Sequence, residues 1–228
     1  MTALAKLLLR GDPADAEEHL RTFNTRAALQ CALVIVIGCA LYGVTVGLWR
    51  APIQGVYTAA KFPLLIFFTC AGNALLNGLF AQLLGSGLSF RETSFAILMS
   101  FATAALVLGA LSPVTLFVIG NAPPLASSKA VAGHSVTLLM HVAVIAYAGV
   151  LGNQRLFRLV ERLSGSRVIA TRVMISWLAG NLLLGAQLAW VLRPFIGSPH
   201  IPVQFLRDDP LRGNFYEAVY RAVAHLIS

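Results

Sequence analysis

The stretch Ala27-Ala-Leu-Gln-Cys-Ala-Leu-Val-Ile-Val-Ile-Gly-Cys-Ala-Leu-Tyr-Gly-Val-Thr-Val-Gly-Leu-Trp49 decides the fold class. It carries no charge, and Arg26 and Arg50 close its two ends. A helix needs roughly 20 apolar residues to cross the hydrocarbon core of a bilayer, and this run supplies them. Leu33-Val-Ile-Val-Ile37 does not alternate in polarity, as a strand of a membrane barrel would. A helix also satisfies its own backbone hydrogen bonds, which lipid cannot do.

The same punctuation recurs along the chain. Lys61 and Arg91 enclose a second charge-free run, Glu92 and Lys129 a third, Lys129 and Arg155 a fourth, and Arg172 and Arg193 a fifth. The expected spans are Ala27–Trp49, Phe62–Leu84, Phe95–Ile119, Ser135–Leu151 and Val173–Leu192, with Pro113 kinking the third. The expectation is an all-α polytopic membrane protein with about five transmembrane helices. Short amphipathic helices are expected at the N-terminus, in the fourth loop and at the C-terminus. Three regions follow: a cytoplasmic N-terminal segment (1–26), a five-span domain (27–192) and an extracytoplasmic tail (193–228).

Composition points the same way. Of 228 residues, 57% are hydrophobic and 11% charged. A soluble domain carries about 25% charged residues, so this chain cannot build the polar skin of a soluble enzyme. The net charge of +8 sits beside hydrophobic runs, where it meets anionic headgroups. No zinc-finger, helix-turn-helix or RNA-recognition pattern accompanies it, and nucleic acid is not an expected partner. Cys31, Cys39 and Cys70 fall inside spans without metal or redox spacing and read as small buried hydrophobes. No Ser-His-Asp, Cys-His or glycine-rich phosphate motif stands in a suitable context, and no metal, cofactor or catalytic residue is expected.

The N-terminal apolar piece, Ala3–Leu9, is too short for a signal peptide. Asp12 followed by Pro13 reads as an N-cap with proline at the first helical position. With five crossings, ten Lys and Arg lie on the side of the N-terminus and seven on the other, together the 17 of the chain. Five arginines separate the last two spans, against one lysine between the third and fourth. By the positive-inside rule the N-terminus is cytoplasmic and the tail outside.

No Asp, Glu, Lys or Arg lies in the middle of an expected span, so neutral polar groups are the places to look. Asn73 and Asn77, four apart, share a helix face. With His141, Asn181 and Gln187 they are candidates for helix packing or for lining a polar cavity. Gly43 with Gly47, and Ala74 with Gly78, have the small-xxx-small spacing of closely packed helices, whereas Gly180 meets Leu184 at that spacing.

The fourth loop, Gln154–Leu163, sets Leu156, Val160 and Leu163 on one face and Arg155, Arg158 and Arg162 mostly away from it. A helix lying in the cytoplasmic interface, or docking a partner, fits this pattern. In the tail, Pro194, Pro199 and Pro202 forbid a regular helix. Arg193 is placed to snorkel, beside Phe195. His200, Asp208 and Asp209 read as solvated turn residues rather than metal ligands. Asn214 and Glu217 fit a capping box, and Phe215, Val219, Ala222 and Leu226 form an apolar stripe. Tyr216 and Tyr220 suit interfacial depth, so this helix is expected to lie on the outer surface against lipid or a partner.

Leu41-Tyr-Gly43, Lys61-Phe-Pro-Leu64 and Trp190-Val-Leu-Arg-Pro-Phe-Ile-Gly-Ser-Pro199, set on five spans after a polar N-terminus, resemble a bacterial branch of the YIP family. YIP proteins are Rab-interacting polytopic membrane proteins. Eukaryotic members carry an acidic Asp-Leu-Tyr-Gly-Pro motif before the membrane; here Leu-Tyr-Gly lies inside the first span, and no Rab-type partner is carried over. The resemblance implies a bacterial cytoplasmic membrane location and a role in membrane organisation, and it supplies no catalytic residues. The leading expectation is a non-catalytic scaffold or accessory subunit with a protein partner in the bilayer and no soluble substrate. The alternative is a small transporter or channel in which Asn73, Asn77, His141 and Asn181 face one another. An intramembrane enzyme would instead need His141 beside Ser100, Thr103 or Cys70.

Overall fold

The computed structural model describes residues 7–8, 11–22, 24–84 and 86–227. Among them seven helices follow in order: α1 (Pro13–Arg21), α2 (Thr25–Leu48), α3 (Pro52–Leu83), α4 (Phe90–Gly120), α5 (Ala130–Ser164), α6 (Arg167–Val191) and α7 (Phe215–Ile227). Helices α2 to α6 are long and apolar enough to cross a membrane. The protein is a polytopic all-α membrane protein with five candidate spans. Five crossings place α1, the α3–α4 connection and the α5–α6 turn on one side, the N-terminal side. The α2–α3 turn, the α4–α5 loop and the chain after α6 lie on the other, the tail side.

Local chemistry sets the helix ends. The Asp12 side chain accepts from the Ala14 N–H, and Pro13 opens α1 without an orphaned donor. Asn24 caps α2, and Ser89 with Glu92 forms a reciprocal capping box at α4. Only three residues separate the end of α2 from Pro52, which opens α3. Helix α5 stops at Gly165, whose φ of +62° is the left-handed conformation that side chains disfavour.

The core is built around α2, which packs on both α3 and α4. Small residues let the backbones approach. A Cβ on Gly43 would stand 2.7 Å from the Thr58 carbonyl oxygen of α3, and one on Gly38 would collide with the Ala105 backbone of α4. Gly43 and Gly47 therefore form the close-packing pair read from their spacing. The Gly180–Leu184 mismatch also has a partner: Leu184 lies over Gly72 of α3. Cys31, Cys39 and Cys70 are free and buried.

Four expectations need correction. The second span does not begin at Phe62: α3 starts at Pro52, so Lys61 lies well inside the helix. Nothing breaks the chain between Leu151 and Gln154, so the fourth loop continues α5 as one helix of 35 residues. Its apolar stripe, with Leu156, Leu159 and Val160 buried, packs into the protein core rather than facing lipid. Arg155 donates to the Leu8 carbonyl, Arg162 pairs with Glu17 of α1 at 2.7 Å, and Arg158 stays exposed.

The other two corrections concern the tail. Arg193 does not snorkel. It donates to the carbonyls of Trp190, Asp209, Pro210 and Arg212, stacks 4.1 Å from the Trp190 ring centroid, and so folds the tail upon itself. Helix α7 packs on α5 and α6 instead of lying free on the outer surface. The Tyr216 hydroxyl donates to the Leu182 carbonyl, nine residues before the end of α6, or about 13 Å inward along its axis. Asn214 caps α7 by accepting from the Glu217 N–H at 2.9 Å. Ala222 of the expected stripe is buried, Tyr220 is exposed, and the Leu226 side chain lies outside the described residues.

Candidate functional site

Helix α3 presents Gln54, Thr58 and Lys61 at i, i+4 and i+7, a single stripe on the tail side. All three are buried, although α3 is one of the membrane spans. The reason is the chain that crosses them. Residues 192–207 run irregularly because Pro194, Pro199 and Pro202 cannot sustain a helix, which leaves carbonyls without partners.

The stripe supplies the missing donors. Lys61 Nζ donates to the carbonyls of Leu192 (3.2 Å), Phe205 (2.7 Å) and Pro194. An ammonium has three donors, and all three are used. The rings of Phe195 and Phe205 flank the charge, with centroids 5.1 and 5.2 Å away. Gln54 Nε2 donates to the carbonyls of Pro194 (2.9 Å) and Phe195 (3.0 Å), and the Thr58 hydroxyl donates to Phe195 at 2.8 Å. Just before α3, Arg50 extends the stripe, donating to the carbonyls of Ser198 (2.9 Å) and Ile201 (3.2 Å).

Depth explains why such an arrangement is needed. Thirty-two helical residues measure about 48 Å, against roughly 30 Å of hydrocarbon. If α3 is centred in the bilayer, about 9 Å, or six residues, projects at each end. The hydrocarbon boundary on the tail side then falls near Thr58, with Lys61 just below it. Non-helical backbone survives at that depth only where protein satisfies it. Lys61 is 0% exposed, and among the described residues no carboxylate stands within ion-pair distance of it. Its charge is solvated by carbonyl dipoles and ring faces alone.

No protein-family model, curated protein or solved structure matches this chain.

Among the amides read from the sequence, three come together between α3 and α6. Asn73 donates to the Thr69 carbonyl (2.9 Å) and to the Asn181 amide oxygen, and accepts from Asn77 at 3.3 Å. Gly180 lies beside the cluster: a Cβ there would sit in ordinary contact, 3.4 and 3.6 Å from the amide oxygens of Asn73 and Asn77. The Asn77 oxygen is buried with no hydrogen-bond partner. Gln187 is exposed on α6 and takes no part.

His141 is elsewhere. Its Nδ1 shares a 2.8 Å hydrogen bond with the hydroxyl of Tyr42, and its Nε2 is buried without a partner. Tyr42 packs edge-on against Phe62, which packs edge-on against Phe195 of the clasped tail. Ser100 and Thr103 line a separate cavity of about 40 Å³ beside Leu8 and Arg155, on the N-terminal side.

Sequence alone does not single out Gln54 and Thr58, and it marks Arg50 and Lys61 only as charges at the ends of hydrophobic runs and, for Lys61, as part of a family-like segment. Their signal was present as polar residues at helical spacing directly before a hydrophobic run. A lysine in that position reads as the flank of a span that begins after it.

Proposed function

We propose that the protein is a non-catalytic membrane scaffold or accessory subunit, with the clasped tail as its partner-facing platform. The observation that carries this reading is the donor stripe. Four side chains are committed to holding a proline-rich segment in one conformation, and no substrate path is needed to account for them. The held segment displays apolar side chains outward: Ile201, Phe205, Leu206 and Leu211 are all exposed. A rigid surface of this kind lowers the ordering cost of association.

The finer features of the reading are a YIP-like role in membrane organisation, a bacterial cytoplasmic membrane, a cytoplasmic N-terminus and an outward-facing tail. They are supported by the short motifs and by the arginine bias. Native purification should recover a stoichiometric protein partner that a Leu206→Asp, Leu211→Asp variant fails to hold. Recovery of the chain alone from native membranes refutes the scaffold reading. Reporter fusions after Asn121 and Ser228 should both read as extracytoplasmic, and a cytoplasmic reading at Ser228 overturns the orientation.

A second reading, a small transporter, draws on the meeting of Asn73, Asn77 and Asn181 and the unpartnered Asn77 oxygen. It loses His141, which pairs with Tyr42 instead of joining the amides. Uptake assays in which Asn77→Leu matches the wild type would remove this reading.

A further inference from the structure

Arg207 is a tail cation that the clasp leaves unused. Its backbone N–H donates to the Arg193 carbonyl at 3.2 Å, which fixes the residue beside the clasp. The side chain is half-buried, and its guanidinium has no hydrogen-bond acceptor among the described residues. Two residues earlier, the Phe205 carbonyl is held by Lys61 at 2.7 Å. Arg207 is thus in electrostatic range of two further cations, Lys61 and Arg193.

The opposing charges are few. Asp209 is 3.4 Å from Arg193 and already serves it, while Asp208 is exposed. Burial, followed by repulsion from Arg193, holds the Arg207 guanidinium below its ordinary pKa, and Asp209 and Asp208 offset this only in part. Three cations face two carboxylates, and the planar donor fork of one cation is unfilled. That fork matches the oxygens of a phosphate.

The surroundings decide which phosphate. With α3 centred in the bilayer, the Lys61–Phe205 contact brings this part of the tail close to the hydrocarbon boundary, where lipid headgroups begin. Phe205 and Leu206, directly before Arg207 in the chain, are exposed. A small soluble anion would leave those apolar side chains uncovered, whereas a lipid covers them with its acyl chains while its phosphate meets the arginine.

We propose that Arg207 seats the phosphate of an anionic phospholipid from the tail-side leaflet, with Lys61 and Arg193 supplying the surrounding positive field. The site does not depend on the scaffold reading and can stand if no protein partner exists.

The test uses the full chain, delipidated in mild detergent and offered an equimolar mixture of phosphatidylglycerol and phosphatidylcholine. Native mass spectrometry counts the adducts. The expected result is one phosphatidylglycerol retained per chain in preference to phosphatidylcholine. Arg207→Gln should lower that adduct about tenfold, the scale of one charge-assisted contact. Arg221→Gln removes an equal charge from the exposed pair with Glu217 and should leave the adduct unchanged. Asp208→Asn removes a competing carboxylate and should strengthen the adduct, which keeps the test open if Arg207→Gln fails to fold. Equal retention by Arg207→Gln, no preference between the lipids, or no gain in Asp208→Asn overturns the site. Displacement by millimolar inorganic phosphate reassigns it to a free anion and overturns the lipid.

Discussion

Replacing Lys61 by Met keeps the length and apolar stem of the side chain and removes its three donors. Pro194 keeps a donor in Gln54, but the Leu192 and Phe205 carbonyls lose the one they share with it. An orphaned buried carbonyl costs about 1–3 kcal/mol, so two cost about 2–6 kcal/mol. Losing a buried ammonium also removes its own desolvation penalty, which brings the upper end down to about 4 kcal/mol. The closed tail is therefore expected to weaken by about 2–4 kcal/mol, or roughly 30- to 700-fold in its opening equilibrium. Hydrogen exchange reads this directly. The Arg207 amide, bonded to the Arg193 carbonyl, should exchange faster by that factor in Lys61→Met. Amides in the middle of α2 should be unchanged, because opening is local. Unchanged exchange at residue 207 would refute the reasoning, since it would mean that the tail is held by its aromatic packing and not by the donors.

Further outcomes follow from other contacts. Asn73→Leu should destabilise the α3–α6 pair by about 1–3 kcal/mol because Asn73 joins three bonded groups, whereas Asn77→Leu should cost less, because it breaks one 3.3 Å hydrogen bond to Asn73 and also removes an already orphaned oxygen; equilibrium unfolding in detergent compares them, and equal losses would contradict the assignment. Tyr42→Phe strips His141 of its only hydrogen-bond partner among the described residues and should cost about 1–3 kcal/mol in the same assay; no loss would place that hydrogen bond outside the stability of the core. Glu17 is held below its ordinary value of 4.5 first by its hydrogen bond to Arg162 and then by Arg21. A depressed carboxylate contributes above its unfolded value and is lost as pH falls through the folded one, so the Glu17–Arg162 tie between α1 and α5 should weaken only below about pH 4.5, read as faster cleavage of the N-terminal segment by an acid-stable protease. Release at neutral pH would contradict the pairing.

The spans were legible because bilayer solvation demands long charge-free runs, and no other solvent does. All five charge-free runs became helices α2 to α6. The helix ends were less legible for a physical reason. Hydropathy falls off where a helix leaves the hydrocarbon, but the helix itself does not have to stop there. Pro52–Tyr57 and Gln154–Ser164 are polar extensions of apolar helices, so both read as connections. The same blindness hid Lys61. A cation beside an apolar run is ordinarily solvated by headgroups, and only the packed partner segment of the same chain reveals a different solvent. That partner, residues 192–207, is distant in sequence and carries its information as backbone carbonyls, which no residue type records.

Asn73 and Asn77 show the complementary case. Helical spacing alone put them on one face, and the structure keeps them there. Their meeting with Asn181 depends on α6 packing against α3, which no local sequence pattern records. The two polar clusters therefore differ in what they ask of the protein. The asparagines hold one helix against another and leave an oxygen over, whereas the α3 stripe uses every Lys61 donor to hold a segment that lipid would otherwise reject. A structure that commits a buried cation to its own tail gains from that tail being in place. The orientation of α7 follows from the same logic: once residues 192–212 are clasped and folded back by Arg193, Asn214 starts the last helix beside α6. Tyr216 then meets Leu182 without further guidance from the spans.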